Sequence, residues 1–165
     1  DSHYIDKEQK SKLSAMIQKE TDLSLSGLSG LYCYFILSAH KWLAPDAICG
    51  WLIPSEFMDV NYGAKLKEYF LNKVHLLRVH RYNPENCKFD DALVSSCVVW
   101  FKNETMENNY DVEFSYGGTL ERPEVSRNVD RNTLGKSRKW THFPTNDEQL
   151  PNTHTPTLGL SLIHI

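Results

Sequence analysis

The sequence holds seven histidines and four cysteines, the residue types most often recruited for metal and nucleophilic chemistry, and their spacing argues against both uses. His75 and His80 lie in a run that reads as a strand, where positions five apart point to opposite faces and cannot converge on an ion without a bend. We expect no metal site. Cys33, Cys49, Cys87 and Cys97 form no Cys-x-x-Cys pair and mostly sit in apolar runs, the pattern of reduced thiols rather than of a disulfide or zinc framework. Asp90 and Asp91 are sequence neighbours rather than a pair facing across a cleft, and no local Ser-His-Asp or Cys-His pattern is present. Gly27 and Gly30 precede a helix with no strand before them, the wrong setting for a phosphate loop. Stacking chemistry is left. Phe35 lies on an apolar helix, where periodicity alone makes it a core residue. Phe89 stands among Asn86, Lys88, Asp90 and Asp91 in a polar loop, where a core role is less automatic. Arg81 and Lys88, near that loop, are candidates for phosphate contact, with solvated charge as the ordinary alternative.

The elements that must position these rings can be sketched from periodicity and punctuation. Asp6 followed three residues later by Gln9 is a capping-box pattern, and Leu13, Met16 and Ile17 recur at helical spacing, predicting a helix over about 7–19. A serine- and glycine-rich loop follows. Ser29 can cap a second helix in which Leu31, Tyr34, Phe35, Ser38, Ala39, Trp42 and Leu43 make one face, with Pro45 as its stop. From Ile48 to Ile53 no polar alternation appears, as expected of a central strand covered on both faces. A third helix over about 62–71 turns Leu66, Tyr69 and Phe70 inward and Lys65, Lys67 and Glu68 outward. Strands are predicted at about 74–80 and 93–101, and a short exposed one at 112–116 before Gly117-Gly118. The order helix, strand, helix, strand, strand indicates an α/β layered sheet whose last pair is antiparallel.

With 41% hydrophobic and 12% aromatic residues in 165, there is enough apolar material for one core. The formal charge of -3 gives no support to nucleic-acid binding. Charge is uneven, however: 121–139 carries six basic residues against three acidic ones, which suits either phosphate contact or a solvated surface. No apolar run is long enough to span a bilayer, so we expect no membrane partner and a cytoplasmic protein.

Three segments together resemble one family. They are Leu31-Tyr32-Cys33-Tyr34-Phe35 with Leu43-Ala44-Pro45-Asp46-Ala47-Ile48 and Trp51-Leu52-Ile53-Pro54-Ser55, then Pro54–Met58 leading into Tyr62–Phe70, and finally Phe89-Asp90-Asp91-Ala92 running into Leu93–Phe101. In order and spacing these are similar to the segments downstream of the Asn-Pro-Pro-Tyr tetrapeptide in type II restriction-modification adenine-specific (N6-adenine) DNA methyltransferases. One departure is Asp46-Ala47 where the family carries a glycine pair in a turn.

The resemblance implies the C-terminal half of a Rossmann-like, S-adenosylmethionine-dependent methyltransferase domain with a terminal antiparallel strand pair. It implies transfer of a methyl group to the exocyclic amino group of an adenine swung out of duplex DNA. The catalytic tetrapeptide is expected upstream of residue 1, so no catalytic residue falls within the sequence. Phe35 matches the ring that packs on the cofactor's adenine and Phe89 the ring that stacks on the flipped base. Double-stranded DNA and a cognate restriction endonuclease are the implied partners. Two alternatives stay open: a non-catalytic DNA-binding remnant of such an enzyme, and a related methyltransferase acting on RNA or protein. We expect 1–102 to belong to the catalytic domain, 103–145 to begin a DNA target-recognition region and 146–159 to be a linker. Residues 160–165 are identical to one reading frame of a transposon-end sequencing adapter, so they and His164 carry no functional weight here.

Overall fold

The computed structural model describes residues 6–84 and 95–144. Helix α1 spans Lys7–Thr21 and α2 spans Leu31–Ala39. Strand β1 follows at Ile48–Pro54, helix α3 at Ala64–Asn72, and strands β2 and β3 at His75–Arg81 and Ser96–Lys102. Strands β4 (Asp111–Tyr116) and β5 (Val125–Asp130) and the short helix α4 (Arg131–Lys136) complete the order. The five strands form one sheet in the order β1-β3-β2-β4-β5. Strand β3 runs antiparallel to both β1 and β2, β4 runs parallel to β2, and β5 returns antiparallel to β4. The expected antiparallel strand pair is thus β2 with β3. Helices and a five-stranded mixed sheet thus make an α/β layered arrangement.

Helices α2 and α3 cover one face of this sheet. Strand residues alternate sides, and Ile53, Val79, Val99, Phe101, Val112 and Phe114 supply the buried side. Against them α3 lays Leu66, Tyr69 and Phe70, all fully buried, while Lys65 pairs outward with Glu68 at 2.7 Å. Phe57, Tyr69, Phe70 and Phe101 meet edge-on or tilted with centroids 5.7–5.9 Å apart. Such pairs contribute about 0.5–1.5 kcal/mol each beyond their buried area.

Several expectations need correction. Asp6 stands at the N-cap of α1, but its side chain makes no cap hydrogen bond, and Gly30 rather than Ser29 caps α2. Helix α3 starts later than expected because Asn61–Gly63 forms a separate tight turn. Strand β1 is not central among the described residues. It lies at the sheet edge, and Ile48 and Leu52 are 68% and 64% exposed. An unbroken apolar run signals what a strand is able to bury; it does not record whether both faces are met. Strand β4 errs the other way: it sits between β2 and β5 with Val112, Phe114 and Ser115 buried. Strand β5 and helix α4 were not expected at all, though Asp130 accepts from the Thr133 N–H at 3.1 Å as an N-cap. Residues 111–140 share the sheet and core of the preceding elements, with Val129, Leu134 and Trp140 buried. No described helix is long and apolar enough to cross a membrane.

Asp46 shows why its turn favours glycine. Its φ is 62°, in the left-handed region, which aspartate tolerates better than most residues. Its N–H donates to the Asn103 carbonyl at 3.1 Å, and its carboxylate meets the Lys102 ammonium at 3.0 Å.

Candidate functional site

Strands β1, β2 and β4 run parallel to one another, so Pro54, Arg81 and Tyr116 end at one rim of the sheet. In open α/β sheets ligands bind outside these carboxyl ends. The rim is tightly cross-linked. Ser55 donates from both its N–H and its hydroxyl to the Ser95 carbonyl, at 2.8 and 3.0 Å, and the Tyr82 N–H donates to the Ser96 carbonyl at 3.1 Å. Gly117 and Gly118, at φ 65° and 61°, turn the chain out of β4, and a Cβ on Gly118 would lie 2.3 Å from the Arg122 carbonyl oxygen. Phe89 and Lys88 lie outside the described residues, in the segment that joins two strand ends at this rim.

Phe35 is not a core residue. Cys33, Ile36 and Leu37 of α2 are buried, whereas the Phe35 ring is 57% exposed. Every residue of 31–37 is apolar or aromatic, so α2 presents no polar stripe from which the inner face could be told. Of the seven residues expected to form its core face, Tyr34 and Ser38 are buried, and all but Leu43 line a groove of about 560 Å³. Leu13 and Met16 of α1 and Trp51, Leu52 and Ile53 of β1 close its other sides.

Apolar walls suit a flat aromatic group, and the Tyr32 phenol among them is shifted further from ionisation. Burial pushes Tyr32 above the ordinary tyrosine range, with Cys33, Tyr62 and Glu56 adding to the effect. Tyr62 is pushed up to about 12 by burial and by the Glu56 carboxylate beside it. Both remain hydrogen-bond donors at neutral pH. Burial likewise raises the Cys33 thiol to about 11, which leaves it a poor nucleophile.

The other candidates are committed elsewhere. Arg81 lies over the Tyr116 ring at 5.1 Å and donates to the Thr141 carbonyl at 3.0 Å, a packing role rather than a solvated one. A β-bulge between Leu76 and Arg78 shifts the register, so His75 and His80, opposite Lys102 and Val98, share a face that strict alternation would deny them. They remain apart in function: His75 meets Glu104 at 2.8 Å and His80 meets Ser115 at 2.9 Å. Among the described residues no group of His, Cys, Asp and Glu is placed to hold a metal ion. Cys33, Cys49 and Cys97 are free thiols.

Buried His80 gives the fold an acid-sensitive point. Desolvation, reinforced by Arg78, depresses its pKa below the ordinary 6.5. The unfolded chain therefore binds a proton that the folded chain refuses, and stability falls as pH drops below about 6.5. We expect urea midpoints to decline on acidification, and His80→Gln to flatten that decline. An equally steep decline in the variant would assign the acid sensitivity to other groups.

Sequence reasoning missed Trp140. It is fully buried, its indole N–H donates to the Leu134 carbonyl at 3.1 Å, and its backbone N–H donates to the Met58 carbonyl at 3.1 Å. It anchors residues 137–144 as a strap across the start of α3. Nearby, Lys67 donates to the Arg138 carbonyl at 2.6 Å and the Thr141 hydroxyl meets the Asp59 carboxylate at 2.6 Å. A single large ring within a charged stretch was the only local signal.

Comparison with known proteins adds three findings. Residues 4–87 match the model of the Eco57I restriction-modification methylase family. The type II methyltransferase M.AccI of Acinetobacter calcoaceticus is 32% identical over 89 residues, 53% of this chain and 16% of that protein. The type IIG restriction endonuclease BpuSI superposes with a TM-score of 0.63 at 15% identity, over 84% of this chain and 19% of that one, a likeness of fold. The chain spans less than a fifth of the length of either protein.

Proposed function

The chain belongs to the Eco57I restriction-modification methylase family, and from that premise we propose that it forms part of an S-adenosylmethionine-dependent DNA methyltransferase of a restriction-modification system, acting in the cytoplasm on the amino group of adenine in double-stranded DNA. A cognate restriction endonuclease is the expected partner. The observation that carries the reading is that the family match spans the helices and strand that build the Phe35 groove.

The groove fits the cofactor's adenine on the chain's own terms. It is long enough in apolar wall for a planar ring, and Phe35 offers an open π-face that the core does not use. Leu31 and Trp51 flank it. When bound, S-adenosylmethionine supplies an electrophilic methyl group on a sulfonium. The chain's contribution is positional: Phe35 holds the purine, and Phe89 stacks on the extruded base, which cannot react while it remains in the duplex. Orienting the amino group falls to the family's Asn-Pro-Pro-Tyr tetrapeptide, which does not occur in these 165 residues. Residues 103–145 begin the target-recognition region, with 111–140 sharing the sheet and core of the preceding elements.

The two rings separate experimentally. In the full-length protein Phe35→Ala should raise the S-adenosylmethionine dissociation constant by roughly tenfold, in keeping with a stacking contribution of about 1–3 kcal/mol. Phe89→Ala should leave that constant unchanged while slowing methylation and reducing the signal of a fluorescent base analogue at the target position. Cofactor affinity measured by calorimetry decides the first role. Intact extrusion and methylation in Phe89→Ala would remove the second.

A further inference from the structure

A second concavity, of about 810 Å³, lies between α3 and the strap, away from the Phe35 groove. Its two carboxylates are already engaged: Glu68 pairs with Lys65 at 2.7 Å, and Asp59 accepts from the Thr141 hydroxyl at 2.7 and 2.6 Å. Lys67 is occupied as well, donating to the Met58 and Arg138 carbonyls at 3.0 and 2.6 Å. Arg138 and Lys139 differ. Both side chains are exposed, and neither forms an ion pair among the described residues.

The backbone beneath these two cations is held firmly. Trp140 is buried immediately after them, the Arg138 carbonyl is tied to α3 through Lys67, and the Thr141 carbonyl is tied to the sheet rim through Arg81. A pinned backbone reduces the ordering entropy that a mobile basic loop loses on binding. Among the described residues, none of the buried polar atoms that lack a partner lines this concavity, so no desolvated polar group there calls for a small ligand. Free cations at fixed positions suit a repeating anion, where placement matters and identity does not.

We propose that Arg138 and Lys139 form a phosphate clamp for the duplex that flanks the target base, docking the DNA backbone against the strap at the edge of the carboxyl rim. The clamp rests on the DNA methyltransferase reading. It adds affinity and register without sequence preference.

The test uses the full-length protein and duplexes with and without the target site, over about 50–200 mM salt. Each phosphate contact contributes about 0.9 to the slope of log affinity against log salt. R138A/K139A should flatten that slope by about 1 to 2 and weaken binding equally for both duplexes. R138K/K139R should keep the wild-type slope. If the wild type methylates DNA while R138A/K139A keeps the full slope, the clamp is wrong and the methyltransferase reading stands. A wild type that neither binds nor methylates DNA overturns both.

Discussion

Trp140→Ala is expected to lower stability by about 3–5 kcal/mol, the range for removing a large aromatic ring from a packed core. The indole is fully buried and meets the Phe57 and Phe114 rings edge-on, with centroids 6.3 and 5.9 Å away. Truncation opens a cavity between two layers that cannot collapse together and leaves the Leu134 carbonyl without its donor. Native domains are stable by only about 5–15 kcal/mol, so the variant should be largely unfolded at modest urea concentrations. Trp140→Phe keeps a ring but not the indole N–H and should fall in between, losing the hydrogen bond's contribution of about 1 kcal/mol besides some packing. Urea titration followed by circular dichroism gives the order. A Trp140→Ala loss below about 1 kcal/mol, the level of an ordinary substitution, would mean that the strap is not part of the core.

Gly63→Ala should cost about 3 kcal/mol, at the upper end for overpacking, although the change adds a single methyl group. A Cβ there would lie 2.0 Å from the Phe57 carbonyl oxygen and 2.7 Å from its Cα. These are backbone atoms of the turn that seats the Phe57 ring in the core, so they cannot give way as the tip of a long side chain would. The turn also follows directly from β1, and its displacement should disturb the carboxyl rim and depress methylation with stability. Gly27→Ala, with nothing within 4 Å of its Cβ, is the matched control. Equal melting of the two variants would refute the close approach.

What the sequence disclosed followed the clarity of its polar pattern. Helix α3 was legible because Lys65, Lys67 and Glu68 alternate with Leu66, Tyr69 and Phe70 at helical spacing, leaving one way to orient it. Helix α2 had no such contrast, so its inner face was assigned to the side that carries Phe35: Tyr34 and Ser38 of that side are buried, but so are Cys33, Ile36 and Leu37, while Phe35 is exposed. Strand β5 buries only Val129, and a strand with four polar residues in six gives periodicity little to detect. At the site, no local property marked Phe35 as anything but core; the order of segments across 31–101 suggested a cofactor role, and the structure shows the residue exposed. The strap was beyond any local reading, because its partners at Asp59 and Lys67 lie 82 and 71 residues away from Thr141 and Arg138.

That separation also imposes a timetable on the ribosome. Asp59 and the Phe57 turn emerge 82 residues before Thr141 arrives to meet them. At about 5–20 residues per second, synthesis of that interval takes roughly 4–16 s. Until the last residues of that interval the nascent chain carries the Phe57 ring without Trp140 beside it, an apolar surface open to chaperones and to neighbouring chains.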